Sequence, residues 1–170
     1  MSCVQSYMLK VLRVGEPEPS MKVDSPQVAR KYWNAVIKKQ PWFDDQKETL
    51  IVLLLSTKYN VEGYSLASIG TLNESIAHPR DIFRAAIAGG CYGIIVMHNH
   101  PSGDPLPSDV DRSLTQRLRD AADLLQIKLL DHVIIGRVRL RKLTPRKLKP
   151  WRVRAASRRG YFSFREAGAI

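Results

Sequence analysis

Residues 91–111 read CYGIIVMHNHPSGDPLPSDVD, and this stretch decides the fold. It opens on an apolar run that predicts a buried central strand, and His98 and His100 come where that strand ends. Three prolines and a glycine then predict a stiff loop. Ser108 begins the pattern of a capping box, so we expect a helix to start there with Asp111 in its first turn. A strand, a loop and a helix in this order are typical of a layered α/β domain.

The rest of the chain repeats the alternation of strands with helices. Further strands are predicted at KETLIVLLLS, NVEGYSLASIG, KLLDHVIIG and GYFSF. Helices are predicted at DSPQVARKYWNAVIKK, with Asp24 or Ser25 as N-cap, at HPRDIFRAAIAGG and at SDVDRSLTQRLRDAADLLQI. The apolar face expected for the first helix is Val28, Tyr32, Ala35 and Val36, and that for the last is Leu114, Leu118, Ala121 and Leu125.

The 170 residues divide into three parts. Residues 1–22 contain GEPEPS and are interpreted as an irregular leader, and residues 23–43 as an N-terminal helix. Residues 44–170 then form one domain, which carries a basic insertion at about 138–159. We therefore expect a single α/β domain with helices packed on a sheet.

Positive charge is concentrated at one end of the chain. The formal net charge is +11, and residues 137–170 hold 12 Lys or Arg against Glu166 as the one acidic residue. Such a segment attracts polyanions, so nucleic acid is an expected partner through the residues between Arg137 and Arg159. A solvated basic loop remains the alternative, because the segment fits no nucleic-acid-binding motif.

The cysteines and the apolar runs bear on location. Cys3 and Cys91 are too few for a disulfide framework, which favours a reducing compartment. The longest apolar run, at residues 50–55, is too short to span a bilayer, and the N-terminus lacks the pattern of a secretory signal. The sequence therefore predicts a cytoplasmic protein without a membrane partner, and it indicates no oligomeric state.

The histidines at the strand end suggest a metal site. Strand alternation places His98 and His100 on one side, and the Asp111 carboxylate is free to point back towards them. Two imidazoles and one carboxylate leave a fourth tetrahedral position open, as in catalytic zinc sites. Taken alone, the two histidines could instead be loop residues bonded to backbone, and Asp111 a favourable charge near a helix N-terminus.

The spacing of these three residues resembles a known motif. His98, His100 and Asp111 fit H-x-H-x(10)-D, the JAMM (MPN+) metalloprotease motif. Over about residues 44–136 and 160–170 the chain resembles the JAMM domain of the RadC family. The resemblance implies a JAMM/MPN fold, in which a mixed β-sheet is flanked by helices in a cytidine-deaminase-like α-β-α arrangement. It also implies a short form of the family, without its N-terminal helix-hairpin-helix-like region.

The resemblance also assigns roles to further residues. Glu48, directly ahead of the apolar run, matches the glutamate that acts as general base in the family, whereas Glu62 and Glu74 are weaker candidates. Ser108 matches a serine that helps to hold the tetrahedral intermediate, besides being the expected N-cap. His132 matches a family position, but its place in an apolar strand favours a core histidine. The remaining loop residues, Asn99 among them, are expected to shape the loop.

Two functions follow from the resemblance. The first is a hydrolase with one Zn²⁺ ion that cleaves a peptide or isopeptide bond of a protein or peptide substrate. The second is a DNA-associated repair or recombination accessory protein that binds through its basic segment and has little or no peptidase activity. An HNH nuclease is not favoured, because the letters H-N-H are contiguous here, whereas that motif spreads its residues over a hairpin and a helix.

Overall fold

The computed structural model describes residues 21–70, 78–137 and 159–170. The predicted leader and the predicted basic insertion therefore lie almost wholly outside the described residues. The elements in chain order are α1 Pro26–Ala35, β1 Glu48–Leu55, β2 Val61–Gly70, α2 Pro79–Gly89, β3 Gly93–Asn99, α3 Asp109–Leu125, β4 Lys128–Ile135 and β5 Tyr161–Ser163, with a 3-10 turn at Ile37–Lys39 after α1.

The five strands form one mixed sheet in the order β2-β1-β3-β4-β5. β3 and β4 run parallel and are joined through α3, whereas the other neighbouring pairs are antiparallel. The order places β3 at the centre, and all seven of its residues are buried. The run that the sequence singles out as a central strand therefore occupies that position.

The helices cover both faces of this sheet. α1 packs on one face, against β4 and β5, while α2 packs on the other face against β1 and β2, and α3 on β4. Two groups of buried side chains fill the spaces between the layers, one around Trp33 and Met97 and the other around Phe83 and Leu118. The predicted α/β single domain with an α-β-α arrangement is confirmed.

The buried faces of two helices differ from the predicted ones. In α1 the buried row is Ala29, Tyr32 and Trp33, continued by Val36 beyond the helix, whereas Ala35 is exposed and Val28 half-buried. This row also has helical spacing, and it buries the large Trp33 ring completely. In α3 Ala122 is buried in place of Ala121, and Leu125, at the end of the helix, is 40% exposed.

The helix ends follow the predicted capping chemistry. Ser25, one of the two N-caps considered, accepts from the backbone N–H of Val28. His78 caps α2 and accepts from the N–H of Arg80, so its role is structural. No helix among the described residues is both long enough and apolar enough to cross a membrane.

Candidate metal centre

The register of the sheet brings the start of β1 to the end of β3. Leu50 pairs with His98 in the antiparallel β1–β3 ladder. Glu48 lies two residues before Leu50, and strand alternation therefore places it on the same face as His98. His100 follows β3 directly, and Asp111 lies in the first turn of α3. Four candidate ligands from separate parts of the chain thus meet at one edge of the sheet.

The four side chains form a tight cluster. One ligand atom from each of Glu48, His98, His100 and Asp111 lies within 4.8 Å of all the others. His98 Nε2 is 3.0 Å from His100 Nε2 and 3.1 Å from Asp111 Oδ1, and His100 Nε2 is 3.4 Å from Asp111 Oδ2. Glu48 Oε1 stands farther out, at 3.6 Å and 3.9 Å from the two imidazole nitrogens.

These separations fit a tetrahedral metal site. Bonds of 2.0–2.1 Å from a zinc ion place neighbouring tetrahedral ligands about 3.3 Å apart. The two imidazole nitrogens lie near this separation from each other, and each lies near it from a different oxygen of Asp111, whereas the separations to Glu48 are longer. The donor set of two imidazoles and a carboxylate is also one that zinc prefers. The cluster could therefore hold a metal ion through three ligands, with Glu48 beside it.

Asn99 holds the backbone on both sides of Glu48. Its side-chain Oδ1 accepts from the N–H of Thr49 at 2.9 Å, and its Nδ2 donates to the carbonyl of Lys47 at 2.9 Å. The amide thus continues the β1–β3 ladder beyond the last paired residue of β3. Because Glu48 lies between the two bonded residues, Asn99 fixes where its carboxylate stands relative to the histidines.

Asp111 belongs to the helix cap as well as to the cluster. Ser108 donates to Asp111 Oδ2 through its backbone N–H at 2.7 Å and through its hydroxyl at 2.6 Å, and Ser108 Oγ accepts from the Asp111 N–H. This reciprocal capping box was predicted, and it leaves Asp111 Oδ1 facing His98. Burial alone would raise the pKa of Asp111, but the hydrogen bond from His100, the neighbouring His98 and the bonds from Ser108 hold it well below its ordinary value.

The loop after β3 orients His100. His100 Nδ1 lies 2.7 Å from the carbonyl oxygen of Asp104, so it donates there and directs Nε2 into the cluster. Burial alone would lower the pKa of His100, but the hydrogen bond to Asp111, the bond to Asp104 and the negative charges of Asp111 and Glu48 together raise it. Without a metal ion, His100 is therefore protonated up to a higher pH than an ordinary histidine.

His98 has a histidine as its second partner. His98 Nδ1 is 2.9 Å from Nε2 of His132, which is fully buried in β4, and His132 Nδ1 is 2.7 Å from Thr115 Oγ1 in α3. Complete burial lowers the pKa of His132 well below its ordinary value. His132 is thus joined to a candidate ligand, although it stands in the apolar strand where sequence reasoning read it as a core residue.

Comparison with known proteins matches this arrangement to a family. The model of the RadC-like JAB domain matches residues 23–144, which include the whole cluster. The chain belongs to the RadC-like JAB domain family. The predicted resemblance is therefore confirmed, and the family covers most of the chain.

Several curated relatives of the RadC-like JAB domain are proteins described as UPF0758. The chain is 40% identical over 149 residues to one from Thermotoga maritima, covering 88% of this chain and 55% of the relative. It is 54% identical over 93 residues to one from Chlorobaculum tepidum, covering 55% and 42%, and 43% identical over 124 residues to one from Desulforudis audaxviator, covering 73% and 51%. The chain spans about half the length of the curated relatives it matches.

Among the predicted site residues, the structure of this RadC-like domain brings Glu48, His98, His100 and Asp111 together and places Ser108 against Asp111. Of the weaker candidates, Glu62 is exposed on β2, and Glu74 lies outside the described residues. Asn99 and His132 contact the site through hydrogen bonds that sequence reasoning did not foresee. A histidine in an otherwise apolar strand was the available signal for the second of them.

Proposed function

We propose that this domain is a zinc-dependent hydrolase of the JAMM type that cleaves a peptide or isopeptide bond with water. His98, His100 and Asp111 would hold one Zn²⁺ ion, and the substrate would be a protein or peptide. A reducing cytoplasm, expected from the two cysteines, is the compartment we assign to it.

One observation carries the proposal. The imidazole nitrogens of His98 and His100 and the Asp111 carboxylate, which turns one oxygen to each histidine, stand at separations close to a tetrahedral edge, and the Glu48 carboxylate stands just outside them. Three protein ligands leave one position open, and an open position distinguishes catalytic from structural zinc sites. The position of Glu48 next to that opening is what general base catalysis requires.

A zinc ion bound by His98, His100 and Asp111 would supply a Lewis acid that lowers the pKa of water to about 7. The Glu48 carboxylate would accept a proton from the attacking water as the water oxygen bonds to the carbonyl carbon. When the C–N bond breaks, Glu48 returns the proton to the departing amine nitrogen, so that a carboxylic acid and an amine leave. Asn99 holds the Glu48 backbone during both transfers.

Ser108 supports this chemistry in one of two ways. Its hydroxyl proton is given to Asp111 Oδ2 in this structure, which fixes the carboxylate for binding a metal. The oxyanion role implied by the resemblance stays a prediction, and it requires the Ser108 hydroxyl to turn from Asp111 towards the substrate.

The experiment that tests this function combines metal analysis with isotope labelling. We expect the purified chain to retain about one zinc ion. We also expect it to hydrolyse members of a library of peptides and isopeptide-linked peptides in H₂¹⁸O, with one ¹⁸O atom in the new carboxyl group by mass spectrometry.

Two substitutions provide controls for the metal. His98→Ala and Asp111→Asn should lose zinc, whereas Asp109→Asn removes a carboxylate from the same helical turn, at an exposed position outside the cluster, and should retain it. Zinc no higher in the unaltered chain than in His98→Ala, together with no ¹⁸O incorporation, would overturn the proposal.

Contact with nucleic acid is a second candidate function. The residues between Arg137 and Arg159 carry most of the excess positive charge, and the N–H of Gly136 donates to the carbonyl of Gly160 at 3.0 Å, which brings the two ends of the segment together. We expect DNA affinity to fall steeply with salt concentration, and the slope to become shallower when a short glycine linker replaces residues 138–158. Titrations at several salt concentrations measure both slopes, and a flat response of the full chain would contradict this role.

A further inference from the structure

His132 stands between two elements of the candidate metal centre. Its Nε2 is 2.9 Å from His98 Nδ1, and its Nδ1 is 2.7 Å from Thr115 Oγ1. Thr115 Oγ1 is also 2.7 Å from the backbone carbonyl oxygen of Asp111, one helical turn earlier. The side chains of His98, His132 and Thr115 are buried, and neither His132 nor Thr115 belongs to the ligand set assigned above.

These contacts form a row of hydrogen bonds that runs from His98 through His132 and Thr115 to the backbone carbonyl of Asp111. The direction of each bond in the row follows from that carbonyl. A carbonyl oxygen only accepts, so the single hydroxyl proton of Thr115 goes to Asp111. Thr115 Oγ1 must then accept from His132 Nδ1–H. With its one ring proton given to Thr115, His132 presents a lone pair at Nε2 and accepts the Nδ1–H of His98. His98 is then the donor in this pair, and its other ring nitrogen, Nε2, faces Asp111 and His100.

We propose that His132 and Thr115 are positioning residues that hold His98 in the Nδ1–H form and so keep its Nε2 open for a metal ion. The proposal rests on the metal site of the proposed function, and it adds two residues that determine which ring nitrogen of His98 carries the proton. The row starts at one ligand, His98, and ends on the backbone of another, Asp111, so it also ties β3 to α3 through β4. Partners of this kind orient ligating histidines and raise their affinity for metals.

A purely structural role for His132 is the competing explanation. Its ring stacks on Phe164, with centroids 5.0 Å apart and planes at 9°. His132→Phe would keep an aromatic ring of similar size for this stack while removing both nitrogens. Thr115→Val would keep the side-chain shape while removing the hydroxyl that accepts from His132. Both variants therefore separate packing from hydrogen bonding.

The first test measures zinc affinity in the full chain by competition with a chromophoric chelator. We expect His132→Phe and Thr115→Val to weaken zinc binding by about 10–100-fold and Thr115→Ser to restore it to within about threefold. Thr49→Val is the matched control, because Thr49 is also fully buried but its hydroxyl has no hydrogen-bond partner among the described residues. Affinities of His132→Phe and Thr115→Val equal to that of the unaltered chain would overturn the proposal.

The second test determines which ring nitrogen of His98 carries a proton. Long-range ¹H–¹⁵N spectra of the histidine rings assign the protonated nitrogen of His98 in the full chain, with and without zinc. We expect Nδ1 to be protonated in the unaltered chain and in Thr115→Ser. Thr115→Val should lose this preference. Without the Thr115 hydroxyl, the ring proton of His132 can lie on Nε2 and be donated to His98 Nδ1. An unprotonated Nδ1 of His98 in the unaltered chain would contradict the proposal.

The two tests distinguish the failure of this inference from that of the proposed function. A chain that binds no zinc refutes the metal site, while the ring spectra still decide the direction of the row. A chain that binds zinc with an affinity unaffected by Thr115→Val keeps its metal site and refutes the positioning role.

Discussion

Replacing Glu48 with Gln is expected to leave zinc bound and to lower turnover by about 10²–10⁴-fold. Glutamine has nearly the same size, and Glu48 stands outside the three ligands, at 3.6 Å and 3.9 Å from the imidazole nitrogens. The glutamine amide accepts a proton far more weakly than a carboxylate, so the variant has no general base at this position for the attacking water. Metal analysis and the rate of ¹⁸O incorporation measure the two outcomes separately.

Glu62→Gln is the matched control for this substitution. It makes the same chemical change on the neighbouring strand, at an exposed position outside the cluster. We expect its turnover and zinc content to equal those of the unaltered chain. Full activity of Glu48→Gln would remove the assigned general base, and loss of zinc from that variant would show Glu48 to be a ligand.

Zinc affinity is expected to fall by about tenfold per pH unit once the pH drops below the pKa of His100, because binding must displace its proton. That pKa is raised in the metal-free chain, so the fall begins at a higher pH than for an ordinary histidine. Calorimetry in buffers of different ionisation enthalpy measures the affinity and counts the protons released, and an affinity independent of pH would refute this assignment of His100.

The raised pKa of His100 weakens zinc binding at acidic pH, but it stabilises the fold of the metal-free chain there. A histidine whose pKa is higher in the folded than in the unfolded chain contributes stability that is fully present below the unfolded value. This contribution is lost as the pH rises through the folded value. The pair of His100 and Asp111 should thus stabilise the metal-free chain at acidic pH, whereas bound zinc stabilises it at neutral pH. Denaturant titrations with and without zinc reveal the reversal.

The sequence predicts much of the fold because each element carries its own signal. The apolar runs of β1 and β3 mark buried strands, and Ser108 with Asp111 marks the start of α3. His98, His100 and Asp111 lie within 14 residues, so a single strand, loop and helix suffice to bring them together. The local sequence is therefore enough to predict the three ligands of the candidate metal centre.

The remaining members depend on pairings that no local pattern encodes. Glu48 reaches the cluster because Leu50 pairs with His98 in β3, and only the family resemblance pointed to it. His132 contacts His98 because β4 lies parallel to β3, with Val96 opposite His132. The face of α1 was predicted only in part, with Tyr32 and Val36 buried as expected, because two rows of apolar residues have helical spacing and burial of Trp33 against the sheet selects one of them.

The edge of the sheet that carries the candidate metal centre also carries both ends of the basic segment. The N–H of Arg137 donates to the carbonyl of Gly103, in the loop that follows His100, and Gly160 is bonded to Gly136. Residues 138–158 hold nine Lys or Arg and no acidic residue. Covalent length alone keeps any part of them within about 40 Å of those two anchors. We therefore propose that their charges, at an effective concentration on the order of 0.1 M within that radius, favour the arrival of anionic molecules at the site.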